Sequence, residues 1–274
     1  MNNVIVGFDF SSGSAKAVDL AIDIANRWHN DIRLVYVKKS ADEDETNIRE
    51  EIERRNAGVA HLLKNIKLEY VIRTGKVHKE LVAQASEDNA SIIIVGTHGM
   101  SGFQTNWIGK NTYRTITESE VPVLSVREDF NFNKALENII VPIDSTAATR
   151  QKVPVAGKFA QTFGSTIHIL GIYTSDSSEI KRVVNNYVDQ IDKYLNKGSI
   201  KHTVRTIQAK RAVTEHTLEV AEELDADLIC IMTEQEKALS DWFIGTSAQQ
   251  MLTLSKRPVL TIRPEQIGKD TRTW

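Results

Sequence analysis

The run Val4-Ile5-Val6-Gly7-Phe8-Asp9 decides the fold, because the chain repeats it as Ile139-Ile140-Val141-Pro142-Ile143-Asp144. Both are apolar runs that end in an aspartate, and a Ser/Thr-rich stretch and a long helical pattern follow each of them. Residues 121–127 and 257–263 form a second repeated pair, and the offset is about 136 residues. Solenoid repeats have periods of roughly 20–50 residues, so this longer repeat indicates a tandem duplication of a whole domain.

The composition of the chain excludes several classes of protein. The formal net charge is −2, which gives no basic surface for a nucleic acid. A strand pattern begins almost at the N-terminus, and no apolar run approaches the roughly 20 residues that a membrane helix needs. The seven histidines form no pair at metal-ligand spacing, so no metal site is expected. The single cysteine, Cys230, lies in an apolar run and is interpreted as a buried structural thiol. We expect a cytoplasmic protein that binds neither nucleic acid nor membrane.

Short runs of Val and Ile alternate with helical patterns in both halves, which predicts two α/β domains, each with a doubly wound sheet of five parallel strands. We predict domains at 1–129 and 137–264, joined by a short polar connector. The predicted strands cover 3–8, 32–37, 68–73, 91–95 and 121–126, then 138–143, 166–173, 201–207, 227–232 and 259–263. The predicted helices cover 14–28, 44–64, 77–88 and 109–119, then 149–163, 178–197, 213–224 and 246–255.

A glycine pattern in the first half points to phosphate binding. After the fourth predicted strand come Gly96-Thr97-His98-Gly99, nine further residues, and Gly109 at the start of a helix. We expect Gly96 to let the backbone turn with a positive φ, and Gly99 to let amides approach an anion without a Cβ in the way. A helix N-terminus such as that at Gly109 offers unpaired N–H groups and a positive dipole end. Together the three glycines could form a nest of amides around phosphates.

This pattern, with Asp9 and Asp144 after the first strand of each half, resembles the universal stress protein family over residues 2–263. The resemblance implies an adenine-nucleotide alpha hydrolase-like fold with strand order 3-2-1-4-5, and it implies that the protein binds ATP, alone or with Mg²⁺. In that order the topological switch point lies between the first and fourth strands, where Asp9 and Gly96 would be neighbours.

The family's pattern assigns a role to each matching residue. Asp9 would contact the ribose or the adenine, and the backbone of Val37 would meet the adenine edge. The phosphates would be held by Gly96, His98, Gly99 and Gly109 and by the amides that follow. Lys110 stands where the family has Ser or Thr, so either its ammonium or only its backbone N–H would meet a phosphate, and Asn111 could supply a further donor.

The second half has lost most of this pattern. Met232 aligns with Gly96 and Gln235 with Gly99, while Gly245 survives at the helix start. If both glycine positions need the left-handed conformation, two substitutions cost about 3 kcal/mol, or two decades of affinity. We therefore predict that the second domain has lost the nucleotide site or binds something else.

The leading functional hypothesis is a stress-response or signalling module that binds ATP in its N-terminal domain and is not an efficient enzyme. No residue is evidently placed as a general base for water, so any hydrolysis should be slow. A second hypothesis is a dimerisation and partner-docking module that binds no nucleotide. A third, a nucleotidyl-transfer enzyme, lacks basic residues around the outer phosphates and an acceptor pocket.

The last strand of each half is apolar and would lie at a sheet edge, which makes it an aggregation hazard unless it is covered. The two edges could pair antiparallel within one chain as an intramolecular pseudo-dimer, as family homodimers do between chains. Further homodimerisation through outer surfaces stays open.

Overall fold

The fold is built on strands that are buried on both faces. In a computed structural model, residues 3–98, 108–130, 136–233, 235–237 and 242–264 are described, with backbone alone at 235–237 and 242–244. Val4, Ile5 and Val6 have no exposed surface, and Ile139, Ile140 and Val141 match them. Continuous apolar runs of this kind suit parallel strands that are covered by helices on both sides.

The described part of the first unit alternates strands and helices. Its strands are β1 (Val4–Gly7), β2 (Ile32–Lys38), β3 (Leu68–Thr74), β4 (Ile92–Gly96) and β5 (Val123–Val126). Its helices are α1 (Ser12–Trp28), α2 (Glu45–Val59, followed by a 3₁₀ turn at Ala60–Leu62), α3 (Val77–Glu87) and α4 (Lys110–Glu118). The strands are parallel in the order β3-β2-β1-β4-β5, so the carboxyl ends of β1 and β4 lie side by side. This is the predicted order, and it places the switch point between β1 and β4.

The second unit repeats the arrangement. Its parallel strands are β6 (Asn138–Ile143), β7 (Thr166–Tyr173), β8 (His202–Gln208), β9 (Leu228–Met232) and β12 (Val259–Ile262), in the order β12-β9-β6-β7-β8. Its helices are α5 (Val153–Phe163), α6 (Ser178–Lys197), α7 (Val213–Glu223) and α8 (Thr246–Leu254). The strands β10 (Gln235–Lys237) and β11 (Trp242–Ile244) form a separate antiparallel hairpin between β9 and α8. The predicted fold class and strand order are confirmed in both units.

The first helix of each half differs from its prediction. In the first unit α1 begins at Ser12, with Ser11 as N-cap accepting a hydrogen bond from the Ser14 amide. In the second unit the single helix predicted at 149–163 is wrong, because a 3₁₀ helix at Ala147–Arg150 precedes α5. Pro154, at the second position of α5, has no N–H to donate and would clash with the carbonyl of the preceding turn, so α5 cannot extend further toward the N-terminus.

The contacts between Cα atoms divide the chain into two units, Met1–Phe130 and Asn131–Trp274. Each unit has its own buried core. None of the described helices is both long and apolar enough to cross a bilayer.

Candidate functional site

Asp9 begins a tight turn at the end of β1. Its Oδ1 accepts hydrogen bonds from the Ser11 amide at 3.1 Å and from the Ser11 hydroxyl at 2.5 Å. Its own amide donates to Ser14 Oγ at 3.3 Å, and Ser14 Oγ donates to the Ser11 carbonyl at 2.9 Å. Phe10, between Asp9 and Ser11, adopts a φ of 63°, a left-handed conformation that is uncommon for residues other than glycine. Such strain persists where the surroundings fix it, and it often marks a functional turn. The turn fixes the Asp9 carboxylate beside the start of α1.

Two glycines let the start of α1 cross the end of β4 in direct backbone contact. A Cβ on Gly96 would lie 2.6 Å from the carbonyl carbon of Gly13 and 3.0 Å from the Ser14 amide nitrogen. A Cβ on Gly13 would lie 2.8 Å from the His98 carbonyl oxygen. The expected positive φ at Gly96 is wrong: Gly75 and Gly164 are the described glycines with positive φ. Glycine is needed at position 96 because the backbone of Gly13 approaches it closely. The energetic cost expected above for a left-handed conformation therefore does not apply at this position.

Gly109 is the N-cap of α4 and is tied to the same strand end. Its amide donates to the Thr97 carbonyl at 2.8 Å, and a Cβ on Gly109 would lie 3.0 Å from that oxygen. Thr112 in the first turn of α4 donates its hydroxyl to the Gly96 carbonyl at 2.8 Å. The exposed residues Lys110 and Asn111 follow Gly109, and among the described residues their amides have no acceptor. The positive end of α4 therefore lies next to the carboxyl end of β4, beside Gly96.

His98 and Gly99 complete the predicted phosphate loop. His98 is half-buried, and its Nδ1 lies 3.0 Å from the Thr97 hydroxyl. Gly99 lies outside the described residues. The structure thus brings Gly96, His98 and Gly109 together around the start of α1, while the role of Gly99 stays a prediction.

Val37 lies near the end of β2, the strand next to β1, and it pairs in register with Arg73 of β3. Two aromatic residues that the sequence analysis missed are Phe10, which follows β1, and Tyr36, which lies in β2. Phe10 packs against Tyr36 with ring centroids 5.2 Å apart, and against Phe8 at 5.0 Å. Burial raises the pKa of Tyr36, and the neighbouring Glu43 carboxylate raises it further. An apolar surface beside Asp9 suits a planar base, and the adjacency of Phe10 to Asp9 was the available signal.

The second unit keeps the aspartate turn. Oδ1 of Asp144 accepts from the Thr146 amide at 2.9 Å and from the Thr146 hydroxyl at 2.6 Å. The Asp144 amide donates to Thr149 Oγ1 at 3.3 Å. Thr146 and Thr149 therefore repeat Ser11 and Ser14, and this part of the site survives the duplication.

The glycine contact does not survive. Met232, which replaces Gly96, is the last residue of β9 and is buried; Ala148, which replaces Gly13, lies in the 3₁₀ helix. The segment that follows β9 forms the β10–β11 hairpin, in which Gln235 pairs with Ile244. The hairpin backbone therefore pairs with itself at the chain position where the first half carries its predicted phosphate loop.

No group of three or more His, Cys, Asp or Glu side chains within the described ranges is arranged to hold a metal ion. Cys230 is fully buried, and burial raises the pKa of its thiol to about 12 although Lys152 opposes the shift. The interpretation of Cys230 as a buried structural thiol is confirmed.

Comparison with known proteins gives concordant matches. The model of the universal stress protein family matches residues 1–127 and 135–263. The universal stress protein YxiE of Bacillus subtilis is 26% identical over 146 residues, which are 46% of this chain and 99% of that protein. A crystal structure of a universal stress protein from Archaeoglobus fulgidus has a TM-score of 0.77 at 20% identity and covers 96% of this chain and 99% of its own. A protein of unknown function from Pseudomonas aeruginosa has a TM-score of 0.72 at 14% identity, covering 96% and 93%.

Proposed function

The chain belongs to the universal stress protein family as a tandem member, and from that premise we propose that its first unit binds ATP as part of a cytoplasmic stress-response or signalling module. The observation that carries the proposal is the backbone crossing of Gly13 and Gly96, in which a Cβ would come within 2.6 Å of backbone. The crossing lies at the switch point of the sheet, next to the start of α4, where α/β folds bind their ligands.

Each side of this crossing suits one part of the nucleotide. The amides of Lys110 and Asn111 at the start of α4 offer donors to phosphate oxygens, and the helix dipole favours negative charge there. Asp9 is held by Ser11 with a carboxylate oxygen as acceptor, which suits a ribose hydroxyl. Phe10 and Tyr36 offer an apolar surface to the base. Mg²⁺ would accompany the phosphates, because it keeps several of its waters and is usually bound through phosphate oxygens and one or two carboxylates.

The module would bind and release the nucleotide and would not turn it over efficiently. Hydrolysis needs a group that accepts a proton from the attacking water at hydrogen-bond distance. Oδ1 of Asp9 already accepts two hydrogen bonds from Ser11, which lowers its value as a base. We expect hydrolysis to be slow compared with the roughly 1–10³ s⁻¹ of ordinary enzymes.

The test begins with the purified protein. It is denatured, the released small molecules are identified by chromatography and mass spectrometry, and ATP and GTP are then titrated into nucleotide-free protein. We expect an adenine nucleotide in the first step and preferential ATP binding in the second. If no nucleotide is released and millimolar ATP does not bind, the docking-module hypothesis replaces this one.

A further inference from the structure

A cavity lies at the switch point of the second unit, where no nucleotide binding is proposed. It has a volume of about 60 Å³ at the carboxyl ends of β6 and β9, and Asp144, Thr149, Lys152, Thr214, Met232 and Ser247 contribute to its wall. We propose that this cavity binds a small oxyanion of the phosphate class, either inorganic phosphate or the phosphate group of a small phosphomonoester.

Lys152 supplies a buried positive charge to the wall. The residue is 3% exposed, and its Nζ donates to Thr149 Oγ1 at 3.1 Å. An ammonium group carries three donor hydrogens. The lysine is specific to this unit's altered helix start, because it directly precedes α5 after the 3₁₀ helix. An anion in the cavity would lie against this ammonium in a region of low dielectric.

The hydroxyl of Thr149 points to the same ligand chemistry. It is 2% exposed and accepts two hydrogen bonds, from the Asp144 amide at 3.3 Å and from Lys152 Nζ at 3.1 Å. A hydroxyl has two acceptor lone pairs and one donor hydrogen, so Thr149 still has a hydrogen to donate. Within the described part of the chain no acceptor receives it.

The first unit satisfies the matching hydroxyl internally. Ser14 Oγ accepts from the Asp9 amide, as Thr149 does from Asp144, but it also donates to the Ser11 carbonyl at 2.9 Å. In the second unit, the carbonyl of Thr146 instead accepts from the Thr149 amide at 3.1 Å. The 3₁₀ turn thereby frees the Thr149 hydroxyl for a ligand oxygen, next to the lysine.

The size of the cavity decides the class of ligand. One water needs at least about 10–15 Å³ of such volume, so 60 Å³ holds a few waters or one small oxyanion, and not a nucleoside. Met232, at the position of Gly96, contributes to the wall and is buried. Ser247, in the first turn of α8, adds the positive end of a helix to the wall. Asp144 is the acidic residue in the wall, and its Oδ1 is turned to Thr146.

The experiment titrates inorganic phosphate, and separately glycerol 3-phosphate, into the full chain by calorimetry, with ³¹P NMR as a second readout. Lys152→Met and Thr149→Val remove the two donors with little change of shape, and Lys158→Met, which removes an exposed lysine of α5, serves as control. We expect saturable binding to the wild type, weakened roughly tenfold or more in both test variants and unchanged in Lys158→Met.

The two ligands separate the two sources of the phosphate group. Stronger binding of inorganic phosphate supports a free ion, and stronger binding of the ester supports a phosphorylated metabolite. The proposal is overturned if neither ligand binds the wild type at millimolar concentration, or if folded Thr149→Val binds as the wild type does. ATP binding in the first unit does not enter these outcomes, because the variants lie in the second.

Discussion

The two units share a strand order and an aspartate turn, yet they differ at one backbone contact. In the first unit Gly13 and Gly96 touch without side chains between them; in the second, Ala148 and Met232 occupy these positions. The polar turn around Asp144 survived this change with all three of its hydrogen bonds. The aspartate turn is therefore common to both units, whereas the close backbone approach of two glycines is found in the first unit, where we propose the nucleotide binds.

The altered contact also extends into the helix that follows. Helix α1 runs unbroken from Ser12, whereas the second unit interposes a 3₁₀ helix and begins α5 only at Val153. The rearranged turn brings Lys152 and Thr149 into the cavity wall. One duplication has thus given two different polar environments at equivalent switch points.

The largest effect is expected from Gly96→Val. Its Cβ would lie 2.6 Å from the backbone of Gly13, and backbone cannot move aside as a side chain can. Overpacking of this kind costs about 1–3 kcal/mol of folding stability, and the displaced crossing should abolish ATP binding. Thermal unfolding and calorimetry measure the two consequences.

The matched change in the second unit is Met232→Gly, which restores the glycine without restoring the rest of the site. We expect no ATP binding at that unit, and a loss of stability because a buried side chain is removed. Unchanged ATP affinity in Gly96→Val would show that the backbone contact of Gly13 and Gly96 has no part in ATP binding.

An intermediate effect is expected from Lys110→Ser. If the ammonium contacts a phosphate, its loss should weaken ATP binding by about 1–3 kcal/mol and flatten the salt dependence. The converse change in the second unit, Thr246→Lys, places a lysine at the start of α8 and should leave ATP binding unchanged. Equal or tighter binding by Lys110→Ser would show that the backbone amide alone holds the phosphate.

The smallest effect concerns pH. His78 in α3 is 2% exposed, and burial lowers its pKa although Glu118, 3.3 Å away, opposes the shift. The unfolded chain binds this proton near the ordinary value of about 6.5, whereas the folded chain binds it only at lower pH. Below about pH 6.5 the unfolded state therefore binds more protons than the folded state. As the pH is lowered, the free energy of unfolding decreases.

The second unit has Thr214 at the position of His78, so His78→Thr should flatten the fall in stability as the pH drops below about 6.5. Urea unfolding at several pH values measures this pH dependence of the free energy of unfolding. His61→Gln, which removes an exposed histidine, serves as control. An unchanged pH profile in His78→Thr would contradict the assigned burial effect.

The sequence predicted most of the fold because its signals are local. Apolar runs specify the parallel strands, and repeated helical patterns specify the crossovers. The 3₁₀ helix was missed although Pro154 signalled it, because the repeat suggested that both halves begin their first helix alike. The β10–β11 hairpin was missed because its short strands, of three residues each, carry no clear alternation.

The site was predicted less completely, because glycine has two physical uses. The sequence shows that Gly96 is glycine, but not whether it serves a positive φ or a close approach. Only the position of Gly13 against β4 distinguishes them. The hydroxyl of Thr149 likewise gains its meaning from where Lys152 points, which no local pattern encodes.

The predicted antiparallel pairing of the last strands, β5 and β12, stays a prediction. Small-angle scattering measures it directly: one compact particle per chain supports the pairing, and two independently tumbling lobes contradict it.

The number of ATP molecules bound per chain distinguishes the two units most sharply. Calorimetric titration of nucleotide-free protein should give one ATP site per chain. Gly96→Val should remove this site, and Met232→Gly should still show one site and not two. Two equivalent ATP sites per chain would contradict the prediction that the first unit binds ATP and that the second unit, with Met232 in place of Gly96, does not.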